Sequence, residues 1–167
     1  MNLTTLANLA TAVTVIVGVI FGLIEARRIR REREDRAALE AVHVLLTPAY
    51  MDSFLLVQAI PDGATAEEIE ADPRILHAAR SAGIVIEGLG FAVFQRIVPL
   101  SVVDDLASGS VRVMWRKLRP YAEAERARSS QKTFEWFQWL AEQLEKYEKG
   151  KTSLKKGAHE VFRDWKP

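Results

Sequence analysis

The side chains best suited to chemistry are few and scattered. Glu40 and His43 stand at i, i+3, the spacing with which carboxylate-bridged di-iron bundles present two ligands from one helix. Such a centre needs a second Glu-x-x-His pair and two further glutamates. Arg74 and Lys156 occupy the positions three before His77 and His159, so no second pair exists. The adjacent acids Glu67-Glu68 and Asp104-Asp105 would point about 100° apart on a helix and cannot share one reacting atom. Helix starts, where the macrodipole favours carboxylates, account for both pairs. No Gly-x-Ser-x-Gly, phosphate-binding glycine loop or His-Glu-x-x-His is present. Gly88-x-Gly90 is followed by Val93 where a dinucleotide fingerprint needs glycine, and no strand precedes it. Cysteine is absent, which excludes disulfides, thiolate metal sites and cysteine nucleophiles. The expectation is a protein that is not an enzyme, with no catalytic, cofactor or metal site.

Two clusters point to binding instead. Arg112, Arg116, Lys117, Arg119, Arg126, Arg128 and Lys132 surround Trp115 and Tyr121. Cations on phosphates and aromatics under bases would make a nucleic-acid surface. A net charge of +1 supplies no field for it. The preferred reading buries Trp115 and leaves the cations solvated or facing a bilayer, with no nucleic-acid partner. Trp136 and Trp139 lie roughly 60–120° from the stripe of Phe134, Phe137 and Leu144. Partly exposed tryptophan marks a protein contact or a membrane interface, so this pair is a candidate partner surface; a wide core face is the alternative.

The element that must position everything else is residues 3–24, which hold no charge. As a helix this stretch is about 33 Å long, enough for a hydrocarbon core of about 30 Å. It runs directly into arginines without a small-x-small cleavage site, so the expectation is an uncleaved anchor, residues 1–25. Arg27, Arg28, Arg30, Arg31 and Arg33 all follow the apolar run and no Lys or Arg precedes it. The positive-inside rule then places the N-terminus outside and the rest in the cytoplasm of a bacterial inner membrane. Thr4, Ala7, Asn8, Thr11, Thr14, Gly18, Gly22 and Glu25 share about a third of the helix surface, with bulky aliphatics opposite. Gly18-x-x-x-Gly22 admits a second backbone, and Asn8 can hydrogen-bond across it, so Asn8, Thr11, Thr14, Gly18 and Gly22 form the expected association face of a homo-oligomer.

Beyond the anchor, residues 26–38 read as a charged helical stalk, 39–149 as a cytoplasmic helical bundle and 150–167 as a basic, mobile tail. Thr47-Pro48 restarts a helix, Thr65 with Glu68 is a capping box, and Asp72-Pro73 opens a long apolar helix to residue 98. Ile75, Ala79, Ala82, Ile86, Leu89, Val93 and Ile97 give that helix a broad inward face, while Gly83, Gly88 and Gly90 admit a close neighbour. Ser101 caps the next helix, with a break at Ser108-Gly109-Ser110 and a kink at Pro120; a last helix spans residues 132–149. No strand-like alternation appears. The fold class expected is all-α: an N-terminal transmembrane helix continuing into a stalk and an irregular helical bundle.

Gly88-Leu89-Gly90-Phe91, Val98-Pro99-Leu100-Ser101, Trp115-Arg116-Lys117-Leu118-x-Pro120, Arg126 and Phe134-Glu135-Trp136 follow one another in this chain. That succession resembles a family of small bacterial single-span membrane-anchored helical proteins classed as a domain of unknown function. The resemblance implies a bacterial inner-membrane protein and brings no catalytic residues. The leading functional expectation is a non-enzymatic platform that self-associates through its span and presents the bundle to an unknown protein partner. A membrane-perturbing oligomeric pore is the alternative, and a membrane-attached enzyme with an unrecognised site comes third.

Overall fold

The computed structural model describes residues 2–150, 158–161 and 163–166, with no account of the side chains of residues 3–12, 158 and 161. Asn8 and Thr11 of the expected span face therefore lie outside the described side chains, as do residues 151–157 of the expected tail. The described chain is all-α and contains no strand. Helix α1 (Leu3–Leu45) is one unbroken rod of 43 residues, about 64 Å long. It carries the apolar stretch and the charged stalk without interruption. Then come α2 (Pro48–Ala59), α3 (Ala66–Ala71), α4 (Pro73–Phe94), α5 (Leu100–Arg128), α6 (Glu135–Gly150) and a single turn, α7 (Ala158–Val161).

Local chemistry sets most boundaries. Pro48 opens α2 at a position where its missing N–H costs nothing. The Thr47 hydroxyl, expected to cap α2, donates instead to the Val44 carbonyl at 2.9 Å and closes the end of α1. Thr65 and Glu68 form the reciprocal capping box of α3, at 3.3 and 2.8 Å. Asp72 accepts from the Arg74 N–H at 2.8 Å to cap α4.

Helix α4 stops at Phe94, short of the expected residue 98. Arg96 adopts φ 58°, and the N–H groups of Arg96 and Ile97 return to the carbonyls of Val93 and Ala92 at 3.0 and 2.9 Å. This is a Schellman closure made without glycine. Ile97, expected inward, is left 58% exposed. Helix α5 starts at Leu100 with Pro99 as its N-cap residue, so Ser101 is inside the helix and Asp104-Asp105 fall in its second turn. Neither Gly109 nor Pro120 ends α5; Ser110 turns its hydroxyl onto the Ala107 carbonyl at 2.9 Å.

Helix α4 is the hub, packed most extensively on α2 and α6, with α5 closing the far side. The contacts Arg80–Tyr121 and Tyr50–Met114 tie α5 to α4 and to α2. Val57, Ile86, Met114, Leu118, Phe137 and Leu140 are completely buried between these helices. Burial pushes the Tyr50 hydroxyl up to about 12, and it donates to the Met114 sulfur at 3.7 Å. By contrast, among the described residues α1 joins the core in its last turns, at Ala37, Ala41 and Leu45.

Two of the three α4 glycines are close-approach points. A Cβ on Gly83 would overlap the Phe134 ring, and one on Gly90 would overlap the Trp136 backbone carbonyl, which has no rotamer to yield. Gly88 faces open space. Gly90→Ala is therefore expected to destabilise the bundle by about 1–3 kcal/mol through overpacking. Gly88→Ala should stabilise it by up to about 1 kcal/mol through helix propensity. Denaturant unfolding of the two variants beside the parent checks both signs; equal effects would remove the close-approach argument.

Candidate interaction surfaces

Along α1 every described side chain from residue 13 to residue 24 is exposed, including Val15, Ile16, Val17, Ile20, Phe21 and Leu23 at 51–68%. Gly18 and Gly22 have nothing within 4 Å of a virtual Cβ, and Thr14 beside them is exposed. Just beyond, Arg28 pairs with Glu32 at 3.1 Å and Arg30 with Glu34 at 2.9 Å. Both pairs are solvent-exposed, at i, i+4 in the weaker Arg-first order. Arg27, Arg31 and Arg33 are exposed around them.

Glu40 and His43 are exposed on the same helix, and among the described residues no three His, Asp or Glu side chains converge as metal ligands. Glu40 instead stands at the rim of an apolar cleft of about 390 Å³ between α1 and α4, with Ala41, Val44, Ile84, Gly88 and Leu89 among its walls.

The basic region of α5 is engaged within the fold. Lys117 is buried; it donates to the Ile60 carbonyl that ends α2 and pairs with Asp62 at 3.0 Å. That contact, reinforced by Arg116, holds the Asp62 carboxyl below its usual range. Arg112 pairs with Glu148, Arg119 with Glu123, and Arg128 with Glu70. Arg126 donates to the carbonyls of Thr133 and Phe134 at 2.8 and 2.9 Å and to Gln138 at 2.6 Å, with its guanidinium 5.9 Å from the centre of the Trp115 ring. Trp115 itself is buried, edge-on to Phe137 at 5.2 Å.

Arg126 explains where α6 begins. Residues expected to open the helix from Lys132 form a turn, in which Phe134 takes φ 54° while its carbonyl is held by the guanidinium. Glu87 on α4 then accepts the Phe137 N–H at 2.7 Å, covering an open donor in the first turn of α6. Burial raises the Glu87 carboxyl above its ordinary value, outweighing the hydrogen bonds from Phe137 and Trp136 that favour the charge.

These two clamps place Trp136 and Trp139. Trp136 packs on Phe94 at 4.5 Å and Phe91 at 5.6 Å, Trp139 packs on Phe94 at 5.8 Å, and the indoles meet at 6.1 Å. Both tryptophans are half-buried. Their supports are the open side of the cluster: Phe91 is 44% and Phe94 49% exposed. The phenylalanines belong to the surface as much as the tryptophans do, although only the tryptophans were marked by sequence. In the tail, Trp165 is exposed and Phe162 lies outside the described residues.

Among the described residues, one helix is long and apolar enough to cross a membrane by length and composition, and it is α4 in mid-chain. Its inward face is spent on α2, α5 and α6. The model of a family described as a domain of unknown function (DUF4760) matches residues 12–144. The match covers most of the chain, and the protein belongs to that family. No match was found among curated proteins or among solved structures.

The Glu87 clamp has a pH signature. A carboxyl raised in the fold above its unfolded value of 4.5 holds its proton longer when folded, so its ionisation removes stability as pH rises through the interval just above 4.5. Glu87→Gln keeps an acceptor for Phe137 without a charge. The unfolding free energy of this variant minus that of the parent should rise with pH across that interval and then level off. A difference that is flat or falls with pH, in parallel denaturation series, would contradict the assignment.

Proposed function

We propose that this protein is a non-enzymatic, single-span membrane protein that self-associates through α1 and presents its helical bundle as an interaction or signalling platform. The observation that carries this reading is the twelve-residue run of exposed, uncharged side chains on α1, residues 13–24, which lies outside the core formed by the described residues. In water each large aliphatic side chain left open forgoes about 1.5–3 kcal/mol of burial. A bilayer supplies that burial at no cost to the backbone, because every peptide group of the interior of a continuous helix is bonded within it.

Orientation follows from the arginines. With Arg27, Arg28, Arg30, Arg31 and Arg33 on the C-terminal side of the apolar run, the N-terminus is outside and the bundle lies in the cytoplasm of a bacterial cell. The same arginines suit the headgroup layer of the inner membrane. Platform function is supported by what the bundle offers outward. Phe91, Phe94, Trp136 and Trp139 make an aromatic surface on rigid helices, the kind of anchor around which protein contacts concentrate. An unidentified protein is the partner this surface fits.

The full-length chain is expected to remain in the membrane pellet after alkaline carbonate washing. A reporter fused after Pro167 should be active only in the cytoplasm. The double substitution Val17→Arg and Ile20→Arg, each costing about 2.5–3.5 kcal/mol at the centre of a span, should release the chain to the wash. Release of the unmodified chain, or a periplasmic reporter, would overturn the proposal.

A further inference from the structure

We infer that the stalk half of α1 is a parallel seam for a second copy of this chain, formed by the face that carries Ile29 and Leu39 and continues to Leu46, which lies just past the helix end with its N–H still on the Val42 carbonyl at 3.0 Å. This inference rests on the proposal that α1 is a self-associating membrane anchor, and it names where the partner copy lies outside the bilayer. From residue 25 to residue 46, these three are the large apolar side chains the fold leaves exposed, at 42, 69 and 66%. They are ten and seven residues apart, the a-to-d and d-to-d steps of a heptad pattern. Counted back in the same register, the core positions fall on Glu25, Gly22, Gly18, Val15, Thr11 and Asn8. Four of those six, Gly22, Gly18, Thr11 and Asn8, belong to the association face expected for the span. Because α1 is one uninterrupted helix, the two halves keep this phase.

The bundle confirms which side is free. Ala37, Ala41 and Leu45, through which α1 touches the core, occupy the b, f and c positions opposite the seam. Two chains can therefore pair along α1 with their bundles directed outward, without collision.

Charge limits the pair. In a parallel, in-register arrangement Glu32 of one copy faces Glu32 of the other and Arg36 faces Arg36, each flanked by the opposite charge of Arg33 or Asp35. The outer g-to-e pairs are Arg28 with Arg33 and Asp35 with Glu40, which repel. A seam with three apolar layers and these repulsions depends on the high effective concentration that co-tethering in a bilayer provides.

The chain has no cysteine, so single introduced thiols report cleanly. Full-length variants Ile29→Cys, Leu39→Cys, Leu46→Cys and Gly18→Cys, with Arg31→Cys and Glu34→Cys on the far face, would be oxidised in native membranes. The first three are expected to give at least several-fold more disulfide-linked dimer than Arg31→Cys or Glu34→Cys. Cross-linking at Gly18→Cys without the three stalk positions would overturn the seam while leaving span association intact. Stalk cross-linking without Gly18→Cys would uphold the seam and remove the span contact. Equal linking on both faces, or none anywhere, would overturn the inference.

Discussion

The contact between α4 and α6 is the constraint on which the rest of the bundle depends. At Gly90 the backbone of α4 meets the Trp136 carbonyl with no room for a Cβ, and at Gly83 the Phe134 ring occupies the space a side chain would need. Such proximity brings two helices to the short end of the interaxial range, where small residues replace interdigitated ones. It also requires the chain entering α6 to turn sharply, which Phe134 does at positive φ. A bulky residue in that conformation is costly unless its surroundings impose it. Arg126 does so by holding the Thr133 and Phe134 carbonyls, and Glu87 secures the first turn that follows.

The same contact decides what the molecule can offer a partner. Trp136 and Trp139 are neither core nor free surface residues. They lie on the side of α6 that overhangs Phe91 and Phe94, so the cluster buries part of each ring and leaves an apolar rim of edge-on and tilted rings. A rim supported from below by Gly90 and held at the helix start by a carboxylate is rigid, and rigid aromatics lose little entropy when covered. The cations of α5 take no part in this surface. Arg112, Arg116, Lys117, Arg119, Arg126 and Arg128 each hold a carboxylate or a carbonyl of the fold. Lys117, for one, fastens the end of α2.

Much of this was legible in the residue pattern. The capping box at Thr65 and the Asp72-Pro73 start declare themselves because cap chemistry is local and residue-specific. The inward faces of α4 and α6 followed from helical spacing. Three boundaries were not legible, for one shared reason: each was decided by a group distant in sequence or by an unusual backbone state. Arg96 and Phe134 adopt positive φ where glycine would ordinarily announce it. Gly109 looked like a break, yet α5 is buried along Val103, Val111, Leu118 and Ala122, and that burial outweighs one weak propensity. Glu87 carried no mark at all, since an acid in mid-helix is ordinary until another helix begins opposite it. The partial exposure of Trp136 and Trp139 was open to expectation, but the phenylalanines supporting them were hidden inside an apolar run.

The slightness of the junction between α1 and the bundle has its own consequence. Ala37 and Ala41 offer one methyl each, and a buried methylene-sized group contributes only about 0.8 kcal/mol. Leu45 adds a partly buried side chain, while the adjoining cleft of about 390 Å³ forgoes further contact. Against a domain stability of about 5–15 kcal/mol, the docking of α1 is a minor share. The core made by α2, α4, α5 and α6 must therefore stand without it. What distinguishes α1 is continuity: between residues 25 and 45 it holds no glycine or proline, so its apolar half and the turn that meets the core at Ala41 belong to one helix.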